Sequence, residues 1–338
     1  MGRAGSLRIL AAAGGATLQD GGRHGYMRYG ITPAGPMDRL AHATANRALG
    51  NPPDATALEV SLGGVSLTAE ENAVDVAVAG GTFRISEDGR PLPSAVLLTL
   101  RPGATLAIRA GPSGAWCYVA VAGRIALPAV LGSTATHTRS GLGGLGGRAL
   151  APGDRLPIDD PSSGVGAPAR LVAPWLNRPP DTIRFVPGPQ ADHFSEAETA
   201  AFAEGPWTVS ARGDRMACFL GGRPIRHLGD YNIVSDGIAM GAIQVPGEGL
   251  PIVLMADRQP TGGYPKIGTV IGADLGRLAQ AQPGTRLRFA PVSVAEAVAA
   301  RRAERAALEA PVPLDPLVRT DFPSEFLLGT NLIDGVVG

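Results

Sequence analysis

A Pro-Gly pair, two intervening residues, a leucine, one further residue and then an aliphatic or aromatic side chain form a pattern that recurs in this chain. It occurs at Pro102-Gly103, Pro152-Gly153, Pro246-Gly247 and Pro283-Gly284. Proline presets the second position of a tight turn and glycine accepts a positive φ at the third, so each pair predicts a turn feeding a strand. With 47 glycines and 30 prolines among 338 residues, long helices are excluded over most of the chain. The runs between these breakers, AVDVAVAG (73–80), AVLLTL (95–100), ATLAIRA (104–110), WCYVAVAG (116–123), IRFVPG (183–188) and LPIVLMA (250–256), are short and β-rich. The turns are irregularly spaced, which excludes a solenoid and fits one turn reused in two related β-barrels.

Three stretches predict helices. Residues 36–51 are alanine-rich, open with Pro36 and Asp38, and stop at Gly50-Asn51-Pro52. Capping boxes open two more, Ser195 to Glu198 and Ser293 to Glu296. Residues 159–180 are rich in Pro, Gly and Ser and read as a linker. The expected organisation is a β-barrel over 1–165, a second over 166–292, and a C-terminal helix and tail over 293–338.

Lysine plus arginine equals aspartate plus glutamate at 30 each, so nothing marks a nucleic-acid or anionic-membrane surface. No run approaches the ~20 apolar residues of a membrane span, and the N-terminus lacks a signal-peptide pattern. Cys117 and Cys218 lie far apart in apolar surroundings, as expected of buried thiols in a reducing compartment. A cytoplasmic protein is expected. The five histidines are scattered without ligand spacing, so no metal site is expected. The spacing G-x-G-x-x-G within GLGGLGG (141–147) runs into a Pro-Gly turn instead of the helix a dinucleotide fingerprint needs. Gly144, Gly147 and Arg148 remain candidates for an anion-binding nest, with a hairpin loop as the plain alternative.

Lys266 is the only lysine in the chain. Arginine substitutes for lysine wherever a solvated charge suffices, but not where a compact or tunable charge is needed. The stretch 241–275 surrounds it with Gln244, Asp257, Gln259, Thr261, Gly262 and Tyr264, most of them leaving the end of the LPIVLMA strand. A second dense stretch, 19–51, gathers Asp20, Arg23, His24, Tyr26, Arg28, Asp38 and Asn46 around glycines. The structural alternatives there are an N-cap for Asp38, a loop contact for Asn46, and an Asp20–Arg23 pair.

These stretches, with VPGPQADHF and GAIQVPGEGLPIVL, resemble the allophanate hydrolase subunit 2 family over roughly residues 7–300. That family is also described as biotin-dependent carboxyltransferase or urea amidolyase-related. It includes the C subunit of 5-oxoprolinase, and antagonists of a kinase inhibitor. The resemblance implies two cyclophilin-like β-barrels and a partner of the subunit 1 or B type that helps form the site, joined by an A-type protein in the 5-oxoprolinase case. Site residues carried over are Asp20, Arg23, Asp38, Asn46, Gly144, Gly147, Arg148, Gln244, Asp257, Gln259, Thr261, Gly262, Tyr264 and Lys266. The segment ARGDRMACFLGG (211–222) departs from the Ser-Asp-Arg-Met-Gly pattern, with Gly213 and Ala217 at the serine and glycine positions.

The activity the resemblance implies is ATP-dependent hydrolysis of 5-oxoproline to glutamate, with Mg as the nucleotide counter-ion. Lys266 and Arg148 would stabilise charge, and Asp38 or Asp257 would serve as base. One alternative is carboxyl transfer to urea or a related amide. YPKIG is not a biotin-carrier hairpin, so the biotin would arrive on a separate carrier. The other alternative is a non-catalytic regulator that binds a kinase-inhibitor protein.

Overall fold

The computed structural model describes residues 4–165 and 167–318, so the end of the expected C-terminal tail lies outside these residues. The chain is mainly β. All four Pro-Gly pairs precede strands, at Leu106–Val121, Arg155–Asp159, Ile252–Leu254 and Arg286–Pro291. Gly103, Gly153 and Gly284 take φ of +84°, +92° and +87°, as a type II turn requires, whereas at the fourth turn the positive φ falls on Gly249.

The first half forms a twelve-stranded sheet, from Leu314–Pro316 at one edge to Arg124–Ile125 at the other. Its centre is the antiparallel pair Val74–Glu87 and Leu106–Val121. The runs ATLAIRA and WCYVAVAG thus join into one strand, bent across residues 111–114, where the register shifts and Gly114 takes φ +83°. The second half is a closed barrel of seven strands between Thr182 and Pro291. Ala169–Leu171 and the tail strand Leu314–Pro316 pair with each other and extend the first sheet beyond Val96–Leu100.

Helix α1 (Arg39–Ala48) buries Ala41, Ala43 and Ala45, small side chains that let it lie close on the central strands. Asp38 is its N-cap, the structural alternative for this residue. Helix α2 (Glu196–Glu204) starts at Ser195. A short helix unmarked in the sequence, α3 (Leu275–Ala279), leads to Gln280. Helix α4 (Val294–Glu309) carries the full capping box at Ser293 and lies against α1. One apolar core runs through both halves, from Ala41 and Trp116 to Phe185 and Phe289. Gln280 closes the junction: it accepts from the Ala115 and Trp116 amides at 2.9 and 3.0 Å and donates to Trp116 O and Asp38 Oδ2 at 2.9 and 3.0 Å. No helix among the described residues is long and apolar enough to cross a membrane.

Candidate functional site

The residues singled out in the sequence fall into separate neighbourhoods, and local bonding decides which are free to meet a ligand. In the first dense stretch, Asp20 and Arg23 do not pair with each other. Asp20 accepts from Gly22 N, Ser133 Oγ, Thr134 N and Thr134 Oγ1 at 2.6–3.0 Å. Arg23 donates to Val130 O, Ser133 O and Ala135 O. Both staple the loop 130–135. Burial would raise the Asp20 carboxyl, but hydrogen bonds from Ser133, Gly22 and Thr134 outweigh it and hold the group below its ordinary value.

Asp38 is saturated. Its oxygens accept from Leu40 N, Ala41 N, Arg178 Nη2 and Gln280 Nε2, so it is an anchor of the junction and not the expected base. Asn46 donates to His42 O and Ala55 O, the structural role weighed for it. In the glycine loop the amides of Gly141, Leu142, Gly144 and Gly147 all donate within the loop's own fold. Arg148 is held bidentate by Asp154 at 2.7 and 2.8 Å. The three candidates for an anion nest, Gly144 N, Gly147 N and the Arg148 guanidinium, are thus already engaged by the protein itself.

Between the two halves lies a cavity of about 630 Å³, walled by apolar side chains such as Met37, Trp116, Met216 and Met255. Arg215 and Asp257 also line it, as do Gly213 and Ala217. The two positions departing from the family pattern are therefore cavity wall. Arg215 Nε and Nη2 meet Asp257 Oδ2 and Oδ1, both at 2.8 Å; its Nη1 reaches Glu59 Oε1 and its Nη2 also reaches Gly35 O. Glu59 Oε2 accepts from Met37 N and Tyr118 Oη at 2.8 Å, and Tyr118 Oη accepts from Asp38 N. Burial pushes the Glu59 carboxyl up against the opposing charge of Arg215. Arg215 is desolvated too, yet Glu59 and Asp257 together hold its proton more firmly than usual. With both oxygens on Arg215, Asp257 is a structural partner and not a free base. Glu59 and Tyr118 were not singled out by the sequence; a lone carboxylate inside the apolar run ALEVSL was the available signal for Glu59.

Lys266, Gln244, Thr261 and Gly262 of the second dense stretch do converge. Lys266, 3% exposed, starts a barrel strand and pairs in register with Gln244. Its Nζ donates to Asp236 Oδ2 at 3.0 Å, and Asp236 leaves 53% of its side chain in solvent. That bond, more than any other contact, holds the Asp236 carboxyl below its ordinary value. Asp236-Gly237 and Thr261-Gly262 form a two-stranded ribbon over this end of the barrel. A Cβ on Gly262 would come within 2.6 Å of Gln244 Nε2, so glycine there makes room for the amide. Gln244 Nε2 and Gln259 Oε1 are buried and have no hydrogen-bond partner. Thr261 and Tyr264 lie exposed beside them. Asp236 sits in a Ser-Asp-Gly segment that nothing in the sequence distinguished from others.

Arg258, buried at 6% exposure, donates Nε to Ile238 O at 3.0 Å. Burial first and the neighbouring Arg39 charge second pull its guanidinium down to about 10. Cys117 and Cys218 are free thiols; burial raises both, Cys218 to about 12, so neither is a nucleophile at neutral pH.

The chain is 38% identical over 300 residues to the C subunit of 5-oxoprolinase from Escherichia coli K12, covering 88% of this chain and 94% of that protein. It is 29% identical over 309 residues to urea amidolyase of Saccharomyces cerevisiae, covering 85% of this chain but 17% of the much longer relative. In three dimensions it matches the K. lactis urea amidolyase with a TM-score of 0.83 at 26% identity, over 90% of this chain and 20% of that one. The model for the carboxyltransferase domain, subdomains A and B, matches residues 29–291, a span holding the Lys266 ribbon and all of the interdomain cavity's lining but Gly14, Gly15 and Thr17. By this match and by the near full-length identity to the 5-oxoprolinase relative, the chain belongs to the carboxyltransferase domain family.

Proposed function

We propose that the protein is the amide-binding subunit of a multi-subunit 5-oxoprolinase, which uses ATP and water to open 5-oxoproline to glutamate. The observation that carries this reading is an unsatisfied buried donor, Gln244 Nε2, in register with Lys266, together with a second unsatisfied atom, the acceptor Gln259 Oε1, two residues before the Thr261-Gly262 strand of the ribbon. A lactam offers a carbonyl oxygen beside an N–H, the complement of that set, and buried polar atoms demand such partners. The ammonium of Lys266 donates one hydrogen bond, to Asp236, and keeps protons for the carbonyl oxygen as charge develops on it. Asp38 and Asp257 are saturated, so the carboxylate at hand for proton transfer is Asp236. Activation by ATP is assigned to a B-type or A-type partner, because Gly144 N, Gly147 N and Arg148 are engaged within this chain.

The second reading is carboxyl transfer to urea, favoured by the likeness to the urea amidolyase fold; urea presents the same carbonyl and N–H edge. Biotin would ride on a separate carrier, since the single lysine is buried in a barrel strand.

The test is phosphate release from ATP by this chain co-purified with its A-type and B-type partners, with and without 5-oxoproline. Release that depends on 5-oxoproline, with glutamate formed, supports the first reading. An intact complex that releases none, but carboxylates urea when given a biotinylated carrier, replaces it with the second.

A further inference from the structure

Apart from the Lys266 ribbon, four guanidinium groups gather where α1, α3 and α4 meet. Arg39 opens α1 and Arg301 lies on α4; both line a second cavity of about 220 Å³, together with Glu304, apolar side chains and the glycines at 272 and 276. Arg178 reaches Asp38 at 2.9 Å and Glu304 at 3.8 Å, and its buried Nε has no partner. Arg258 contributes its charge next to Arg39.

Against these four stand two carboxylates, Asp38 and Glu304, and both are engaged. Asp38 caps α1 and accepts from Arg178 and Gln280, while Glu304 pairs with Arg301. Asp257, the other acid near Arg258, is held bidentate by Arg215. Among the described residues neither Arg39 nor Arg258 makes an ion pair. Arg258 is buried while Arg39 and Arg301 are exposed, so these charges stand together at a partly solvated surface, where like charges still repel and an anion compensates them. The Arg39 proton is loosened, by desolvation first and by Arg301 next. The glycines matter as well: a Cβ at Gly276 would strike Asp38 Oδ1 at 2.5 Å, and one at Gly272 would stand 3.5 Å from Arg301 Cδ.

We infer that this cavity binds a compact oxyanion, a phosphate or a small carboxylate, between Arg39 and Arg301. Planar guanidinium forks match such oxyanions in two-point contact, and the volume suits a small acid better than a nucleotide. The anion would tie α1, of the first half, to α4, which follows the barrel, so its binding stabilises the folded chain. The inference stands independently of the amide reading at Lys266.

Thermal melting and titration calorimetry of the full chain test it, with inorganic phosphate and succinate as probes and sodium chloride at matched ionic strength as control. The expected result is a saturable rise in Tm with phosphate or succinate beyond the chloride control. Arg39→Gln, an exposed position that should still fold, and Arg301→Gln should each weaken that probe at least about tenfold, the loss of one charge-assisted contact. Arg39→Lys should recover part of the affinity. Whichever probe responds in an Arg39-dependent way identifies the natural ligand as phosphate-like or carboxylate-like. Equal shifts in all three salts, or a phosphate response unchanged in both Gln variants, would overturn the site.

Discussion

Arg215 of the barrel reaches Glu59 of the first sheet while Asp257 grips the rest of its guanidinium at 2.8 Å, so one side chain joins the two halves beside the cavity. Replacing it with methionine leaves two buried carboxylates without their cation. Arg215→Met is expected to destabilise the fold by about 3–5 kcal/mol, read as a drop in the midpoint of urea unfolding. Simultaneous Glu59→Gln should recover part of that loss, because the acid that burial already pushes up no longer has to ionise.

Lys266 and Asp236 should separate function from stability. Lys266→Arg and Lys266→Met, assayed in the reconstituted complex, are expected to lower kcat by about 10²-fold or more, with Tm and partner co-purification close to the parent. Wild-type turnover in the arginine variant would remove Lys266 from the chemistry.

Gln244 makes the opposite kind of prediction. Its Nε2 is buried without a partner, so Gln244→Leu is expected to be neutral or up to about 1 kcal/mol stabilising. The same change should raise KM for the amide substrate. A destabilised Gln244→Leu protein would show that the amide is satisfied in the resting fold.

The glycine loop should behave as structure. Gly147 sits at φ +69°, and a Cβ there would lie 2.0 Å from the Gly141 carbonyl carbon, so Gly147→Ala should cost about 1–3 kcal/mol. Arg148→Ala should change stability by less than about 1 kcal/mol, as for other exposed ion pairs, and leave the KM for ATP unmoved.

Asp20 sets a pH dependence. Its folded carboxyl lies below the ordinary 3.8, so as pH falls the unfolded chain takes up this proton first. The stability it gives is therefore complete above pH 3.8 and lost as pH drops through the lower folded value. Urea unfolding between pH 5 and pH 3 should show a shallower acid decline in Asp20→Asn than in the parent.

Local chemistry made much of the fold legible. The Pro-Gly turns, the capping Ser293 and the capping Asp38 depend only on residues within one turn of each other, and all three appear where the sequence places them. The resemblance carried the mainly β architecture and the family. Lys266, Gln244 and Gly262 were legible as a group because they flank one strand end, and a barrel strand keeps its neighbours in register. The roles of Asp38, Asp257, Arg23 and Arg148 were not. Whether a carboxylate or guanidinium is free depends on partners far away in sequence: Arg178 and Gln280 for Asp38, Arg215 for Asp257, the 130–135 loop for Arg23. Asp236 became visible only when distant segments met, and so did the partners of Glu59, Arg215 and Tyr118. The sequence by itself determined where strands turn and which residue types were at hand. Tertiary structure alone decided which polar atoms are left unpaired, because hydrogen bonds between remote segments settle that.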